Sequence, residues 1–123
     1  MELELILQDM IDSSKKTLHE ELEETLHIIK QFIEEIYPVD QIILFGSRAQ
    51  GNYREDSDYD LMLISEENLL PIEKRKISNK ITAELSRQKI DVDVIVKNSE
   101  DIIQVYQKPF SIVKAAIETG VLI

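Results

Sequence analysis

The chain contains no cysteine, and only three glycines and three prolines occur among its 123 residues. Without cysteine, disulfide bonds and metal sites built on thiolates are excluded. No apolar run approaches the roughly 20 residues that a membrane-spanning helix needs. The N-terminus, MELELILQDM, is acidic where a secretion signal is basic. These absences predict a cytoplasmic protein that has no contact with a membrane.

Positive charge is also scarce, since 14 lysines and arginines stand against 24 aspartates and glutamates, a formal net charge of −10. The imbalance is concentrated in residues 1–37, which hold ten acidic and three basic side chains. Phosphates repel such a chain, so we expect no direct DNA binding. The basic segment at residues 74–89 is either a solvated helix face or a local patch for RNA or another acidic partner.

A single domain with a real core is predicted from the length and from the hydrophobic content of 43%. Residues 1–37 carry apolar side chains at spacings of three and four, which predicts an N-terminal helical extension. Asp12-Ser13-Ser14 offers an N-cap that would divide this extension into two helices. Pro38 ends it, because the residue before a proline disfavours the helical region.

Residues 38–123 are expected to form the core of the domain. Short apolar and β-branched runs predict strands at residues 41–45, 58–64 and 89–96. Apolar side chains at helical spacing predict helices at residues 70–88, 100–107 and 109–120. This order predicts an α+β fold in which a small mixed β-sheet has helices packed mainly on one face.

Residues 46–61, GSRAQGNYREDSDYDL, are the most informative stretch of the chain. Side chains two residues apart in a strand point to the same face, so Asp58 and Asp60 project together, roughly 7 Å apart. Two carboxylates this close repel each other unless a cation lies between them. Oxygen ligands of this kind suit Mg²⁺, which shares its coordination with substrate phosphates.

A third carboxylate is expected from the last predicted strand, where Asp91 and Asp93 share one face. Asp93 is the stronger candidate, because apolar residues flank it and a carboxylate held there needs a compensating partner. As a metal ligand it would also lie near an attacking hydroxyl and could accept its proton. Asp91 remains the alternative.

The turn at Gly46-Ser47 is expected to bind phosphate. Glycine lets the backbone approach a phosphate closely, and exposed N–H groups with the Ser47 hydroxyl form an anion site. Arg48 is expected to add its charge to a phosphate oxygen. The alternatives are that Ser47 merely caps a helix and that Arg48 is a surface arginine. Together, turn and carboxylates predict a metal-dependent enzyme that acts on a nucleoside triphosphate.

The spacing of GS, ten residues and DxD resembles the signature of the polymerase-beta nucleotidyltransferase superfamily. The fuller GSRAQG…SDYDL is similar to the small stand-alone members, the minimal nucleotidyltransferases, and the resemblance covers about residues 39–123. It implies that Asp58, Asp60 and Asp93 bind two Mg²⁺ ions and that Gly46 and Ser47 hold the triphosphate. It also implies transfer of a nucleoside monophosphate, expected to be AMP from ATP, to a hydroxyl with release of pyrophosphate.

The acceptor is expected on a partner protein, because the chain is too short to carry much acceptor specificity of its own. The resemblance implies a HEPN-domain ribonuclease toxin, for which such proteins act as antitoxins, some by attaching AMP to a tyrosine. The alternatives are a non-catalytic module that neutralises its partner by contact, and an enzyme that modifies an antibiotic or other small molecule in a pocket that a homodimer would supply. The apolar side chains of residues 3–11 are the expected interface.

Overall fold

The structure, a computed structural model, describes residues 3, 5, 20–106 and 108–123. Its elements in chain order are α1 (Glu20–Ile36), β1 (Gln41–Phe45), α2 (Gly46–Gln50), β2 (Tyr59–Ser65), α3 (Pro71–Arg87), β3 (Val92–Asn98), α4 (Ser99–Tyr106), α5 (Ile112–Thr119) and β4 (Val121–Leu122). The predicted helix break at residues 12–14 lies outside the described residues. None of the described helices is long and apolar enough to cross a membrane.

Four strands form one mixed sheet in the order β3-β2-β1-β4. β1 pairs antiparallel with β2 and with β4, whereas β2 pairs parallel with β3. A parallel pair needs a crossover connection, and α3 supplies it. The predicted α+β fold with a mixed sheet is confirmed. The two-residue strand β4 was not predicted, because so short a segment has no periodicity to read.

The two longest helices, α1 and α3, pack on one face of the sheet. Their apolar stripes meet the side chains that alternate toward them from the three longer strands. The central members of this core are Leu26, Ile29, Ile33, Ile42, Leu44, Leu61, Leu63, Ile81, Leu85, Val92, Val94 and Val96. Burying one such side chain contributes about 1.5–3 kcal/mol, so this core holds the strands in register.

The shorter helices α4 and α5 cover part of the opposite face. This second core consists of Ile43, Met62, Ile64, Ile102, Val113, Ala116 and Ile117. Leu3 packs against it, whereas Leu5 is 61% exposed. The rest of the predicted interface at residues 3–11 lies outside the described residues. The second core leaves the start of β2 and β3 uncovered on this face.

β3 and α5 begin three residues later than predicted, because local hydrogen bonds take up the residues before them. Lys89 has a φ of 61°, and its N–H donates to the Ser86 carbonyl, so it belongs to the C-terminal turn of α3. β3 therefore starts at Val92. α5 starts at Ile112 and not at Pro109, since the Ser111 hydroxyl accepts from the Lys114 N–H at 2.9 Å.

Asn98, at the end of β3, fixes the connection between β2 and α3. Its side chain is 7% exposed; Oδ1 accepts from the Leu69 N–H and Nδ2 donates to the Leu69 carbonyl, both at 3.1 Å. Buried backbone groups need such partners, and the Asn98 side chain supplies one to both the N–H and the carbonyl of Leu69.

We predict that Asn98→Ala lowers the free energy of unfolding by about 2 kcal/mol, because it removes both buried hydrogen bonds to the Leu69 backbone and leaves the Leu69 N–H with the Glu67 carbonyl as its acceptor. Urea denaturation measures this loss. The exposed loop residue Asn52 is the control, and Asn52→Ala is expected to change stability by less than about 0.5 kcal/mol. Equal small effects in both variants would contradict the assigned role of Asn98.

Candidate active site

The predicted carboxylates converge where β2 and β3 begin. Asp60 and Asp93 are direct neighbours in the parallel register, and strand alternation turns both away from the core beneath α1 and α3. Asp58 precedes β2 by one residue and lies two residues from Asp60. Asp58 and Asp93 are exposed, while Asp60 is half-buried.

The electrostatics of Asp60 reflect this grouping. Burial raises the pKa of its carboxyl above the usual value, and the negative charges of Asp93 and Asp58 raise the pKa further. Within the described part of the chain, no ion pair joins any of the three to a lysine or arginine. The site therefore concentrates negative charge without a protein cation to balance it.

Gly46 holds the turn after β1 against Asp60. β1 ends at Phe45, the register partner of Asp60, and Gly46 follows with a φ of 72°. A Cβ at position 46 would overlap Oδ2 of Asp60 and would lie 3.1 Å from its Cγ. Only glycine permits this approach. It places Ser47 and the first N–H groups of α2, which have no partner within the helix, beside the carboxylates.

Arg48 hydrogen-bonds to the backbone of a neighbouring loop. Its guanidinium reaches into the loop between α2 and β2, where Nε and Nη2 donate to the Ser57 carbonyl at 3.3 and 2.9 Å. Nη2 also donates to the Glu55 carbonyl at 3.0 Å. The side chain is 7% exposed, so these backbone carbonyls, and not a phosphate, receive its hydrogen bonds.

Two tyrosine rings enclose the Arg48 guanidinium, whose central carbon lies 4.5 Å from the Tyr53 centroid and 4.4 Å from that of Tyr59. Tyr59 points to the face opposite Asp60. The structure thus places Arg48 on the face of β2 opposite Asp60, and the expected contact of Arg48 with a phosphate stays a prediction. Alternation predicted the direction of Tyr59, but nothing in the sequence pattern links it to Arg48.

Asp91 lies just before β3, and its side chain is exposed. Its carbonyl accepts a hydrogen bond of 2.9 Å from the Tyr59 N–H. The register places Asp93 beside Asp60, and Asp91 is not among the groups that raise the pKa of Asp60. The geometry therefore favours Asp93 over Asp91 as the third carboxylate of the site.

The donor chemistry of the three carboxylates fits a hard divalent cation. Among the residues that the structure describes, no three His, Cys, Asp or Glu side chains are drawn together as closely as the ligands of one ion. Asp58, Asp60 and Asp93 nevertheless share one face, and their charges interact strongly enough to raise a pKa. Mg²⁺ suits such a set, because it keeps several water ligands and accepts substrate phosphates as well.

The sequence profile described as "Polymerase beta, Nucleotidyltransferase" matches residues 27–123. The chain belongs to this family. It is a nucleotidyltransferase, and the family predicted from the Gly-Ser pair and from Asp58 and Asp60 is confirmed.

Relatives of this nucleotidyltransferase include proteins to which protein adenylyltransferase activity is attributed. One from Methanocaldococcus jannaschii is 36% identical over 78 residues, which is 59% of this chain and 75% of that protein. MntA of Haemophilus influenzae is 26% identical over 96 residues, which is 78% of this chain and 84% of that protein. Both matches extend over most of the relative.

Solved structures share the fold at lower identity. A nucleotidyltransferase structure from Sulfolobus solfataricus gives a TM-score of 0.55 at 19% identity, covering 82% of this chain and 80% of that one. A chain from the complex of the tri-AMPylated Shewanella oneidensis HEPN toxin with MNT antitoxin gives 0.50 at 18% identity, covering 82% and 70%. At these identities the likeness shows the fold alone.

Gly46→Ala and Gly51→Ala form a matched pair of variants. Both glycines have positive φ, 72° and 85°, but only Gly46 has a neighbour that a Cβ would overlap. Alanine in this region costs about 1–2 kcal/mol at either position. At position 46 the added methyl also displaces Asp60, so we expect a further loss of stability and weaker binding of a nucleoside triphosphate. Urea denaturation and titration calorimetry measure the two effects; equal losses in both variants would contradict the close packing of Gly46.

Asp60→Asn is predicted to stabilise the metal-free protein at pH 8. The folded pKa of Asp60 lies above the value of about 3.9 expected in an unfolded chain. Between these two pKa values the native state binds more protons than the unfolded state, so its stability falls as the pH rises through that window. The penalty is complete above the window, and asparagine removes it.

Thermal unfolding in the presence of a chelator checks this prediction. The melting temperature of Asp60→Asn should exceed that of the wild type at pH 8, and the difference should shrink as the pH falls toward 4. Asp40→Asn, at an exposed position, serves as the control and should show no such trend. A variant that melts below the wild type at pH 8 would mean that the Asp60 charge stabilises the fold.

Proposed function

We propose that this nucleotidyltransferase moves AMP from ATP to a hydroxyl group on a partner protein of the HEPN toxin type, and that it acts as the antitoxin of the pair. The observation that carries the proposal is the junction of Gly46 with Asp60 and Asp93. It joins a turn suited to phosphates with carboxylates suited to metal ions. A transfer site for a nucleoside triphosphate needs both parts within a few ångströms of each other.

The acceptor class is supported by the relatives. Protein adenylyltransferase activity is attributed to the Methanocaldococcus jannaschii and Haemophilus influenzae proteins. A solved complex of an MNT antitoxin contains a HEPN toxin that carries three AMP groups. A protein hydroxyl of a HEPN-type partner is therefore the acceptor that we propose for this chain.

The residues of the site have separate roles in the proposed reaction. Ser47 and the first N–H groups of α2 hold the β- and γ-phosphates, and Asp58, Asp60 and Asp93 hold two Mg²⁺ ions. Ions held there would supply the positive charge that neutralises the phosphates during transfer. Asp93 also orients the acceptor hydroxyl.

The bond changes of the transfer balance without a further reactant. The acceptor oxygen forms a bond to the α-phosphorus, and the bond from that phosphorus to the bridging oxygen of the β-phosphate breaks, so pyrophosphate leaves. The hydroxyl proton passes to Asp93, which is exposed and can release it to water.

Label transfer from ATP tests the proposal. The full chain, Mg²⁺, ATP labelled at the α-phosphate and the HEPN-type partner are incubated together, and label is expected on the partner. Asp93→Asn should lower the rate by about 100-fold or more, because it removes a proton acceptor and a charged ligand. Asp91→Asn is the matched control and should retain the wild-type rate.

Two outcomes would overturn the proposal. If the partner is neutralised while no label is transferred, and Asp93→Asn neutralises it equally well, the chain acts by contact alone. If label passes only to small hydroxyl compounds and never to protein, the acceptor class is wrong. Loss of transfer in Asp91→Asn together with full transfer in Asp93→Asn would reassign the third carboxylate.

A further inference from the structure

We propose that Arg48 is a positioning residue that fixes Asp58 at a set distance from the phosphate-binding turn. The inference rests on the proposed function in one respect, namely that Asp58 is a metal ligand. Its basis is that one guanidinium holds the residues on both sides of Asp58. Ser57 is held through its carbonyl and Tyr59 through its ring.

The hydrogen bonds to Ser57 require the planar guanidinium group of arginine. Nε and Nη2 of Arg48 both donate to the Ser57 carbonyl, and Nη2 donates to the Glu55 carbonyl as well. A planar group with several fixed N–H donors can grip two carbonyls at once, whereas a lysine ammonium is a single flexible point charge. Charge on the donor also strengthens these hydrogen bonds.

The loop that Arg48 grips is itself a closed turn. The Ser57 N–H donates to the Arg54 carbonyl at 3.1 Å, and the Arg54 N–H donates to the Ser57 hydroxyl at 2.9 Å. A hold on the Ser57 carbonyl therefore holds the whole turn, residues 54–57. Asp58 follows this turn directly, so its backbone position depends on where the turn is anchored.

The rings of Tyr53 and Tyr59 prevent the guanidinium from moving sideways. The central carbon of the guanidinium lies over both rings, 4.5 and 4.4 Å from their centroids. The Tyr59 N–H donates to the Asp91 carbonyl at 2.9 Å, which ties the same strand end to the start of β3. Arg48 thus fixes the loop to α2, and the hydrogen bond from Tyr59 to Asp91 fixes the end of the loop to the start of β3.

Arg48 connects the phosphate-binding turn at Ser47 with the carboxylate of Asp58. Arg48 follows Ser47 directly in α2, while ten residues separate Ser47 from Asp58. A loop of this length, exposed over most of its residues, leaves the carboxylate free to shift by several ångströms unless it is anchored. The guanidinium shortens this connection to one side chain, so the triphosphate turn and the first metal ligand move as one body.

Arg48→Lys separates a positioning role from a charge on phosphate, because lysine keeps the charge and loses the fork. The affinity of the full chain for Mn²⁺ or Mg²⁺ alone is measured by titration calorimetry, without ATP and without a partner. We expect Arg48→Lys to weaken the metal affinity about tenfold or more, which is the usual effect of replacing a residue that positions a metal ligand. Arg75→Lys, at an exposed position of α3, is the control and should bind metal as the wild type does.

Hydrogen exchange gives a second, metal-independent measurement. In Arg48→Lys the amides of residues 54–60 should exchange at least about tenfold faster than in the wild type, because their anchor is lost. The amides of α1 and α3 should be unchanged. If Arg48→Lys does not fold, Tyr53→Leu loosens the same clamp from its half-buried side, and the same two measurements are applied to it.

Each outcome decides between the roles. If Arg48→Lys changes neither the metal affinity nor the hydrogen exchange, the proposal is overturned. It is also overturned if Arg48→Lys loses affinity for ATP while its metal affinity and exchange stay as in the wild type, because Arg48 would then contact a phosphate. If the wild type binds metal but transfers no label, the proposed function fails while the positioning role is still judged by metal affinity. If the wild type binds neither metal, the metal role of Asp58 fails, and exchange alone decides whether Arg48 holds the loop.

Discussion

The parallel register between β2 and β3 is the constraint on which the site depends. It places Asp93 beside Asp60, and it is maintained by valines on the other side of the same strand, Val92, Val94 and Val96, which are buried beneath α1 and α3. Side chains alternate in a strand, so a slip of one residue would turn Asp93 into the core. Hydrophobic burial thus holds together charges that repel each other.

The site is built from features that oppose folding on their own. Burial and the negative charges of Asp93 and Asp58 raise the pKa of Asp60, and Gly46 adopts a positive φ so that the backbone can touch that residue. Neither feature improves packing. Both are explained if the ligands of the site are a cation and a triphosphate. Features of this kind, which do not favour stability, are common at functional sites.

β2 divides two tasks between its faces. Asp60 points to the open face with Asp93, while Tyr59 points to the other face and stacks on Arg48. The residues of GSRAQGNYREDSDYDL are therefore split between chemistry and support. The second group makes the first effective, because carboxylates on a loosely held strand end would bind metal ions poorly.

Local pattern was enough for the parts of the protein that depend on neighbours in the chain. The bounds of β1 are as predicted, and alternation alone put Asp58 and Asp60 on one face. Contacts between segments that are distant in the sequence determine the features that local pattern did not predict. The sequence already favoured Asp93 over Asp91, but the pairing of Asp93 with Asp60 needed the register between two strands. Likewise, β4 needed the edge of β1 as its partner, and Arg48 needed the loop to fold back over α2. Such pairings join residues with no periodic relation in the sequence, so they exist only once the core has brought the segments together.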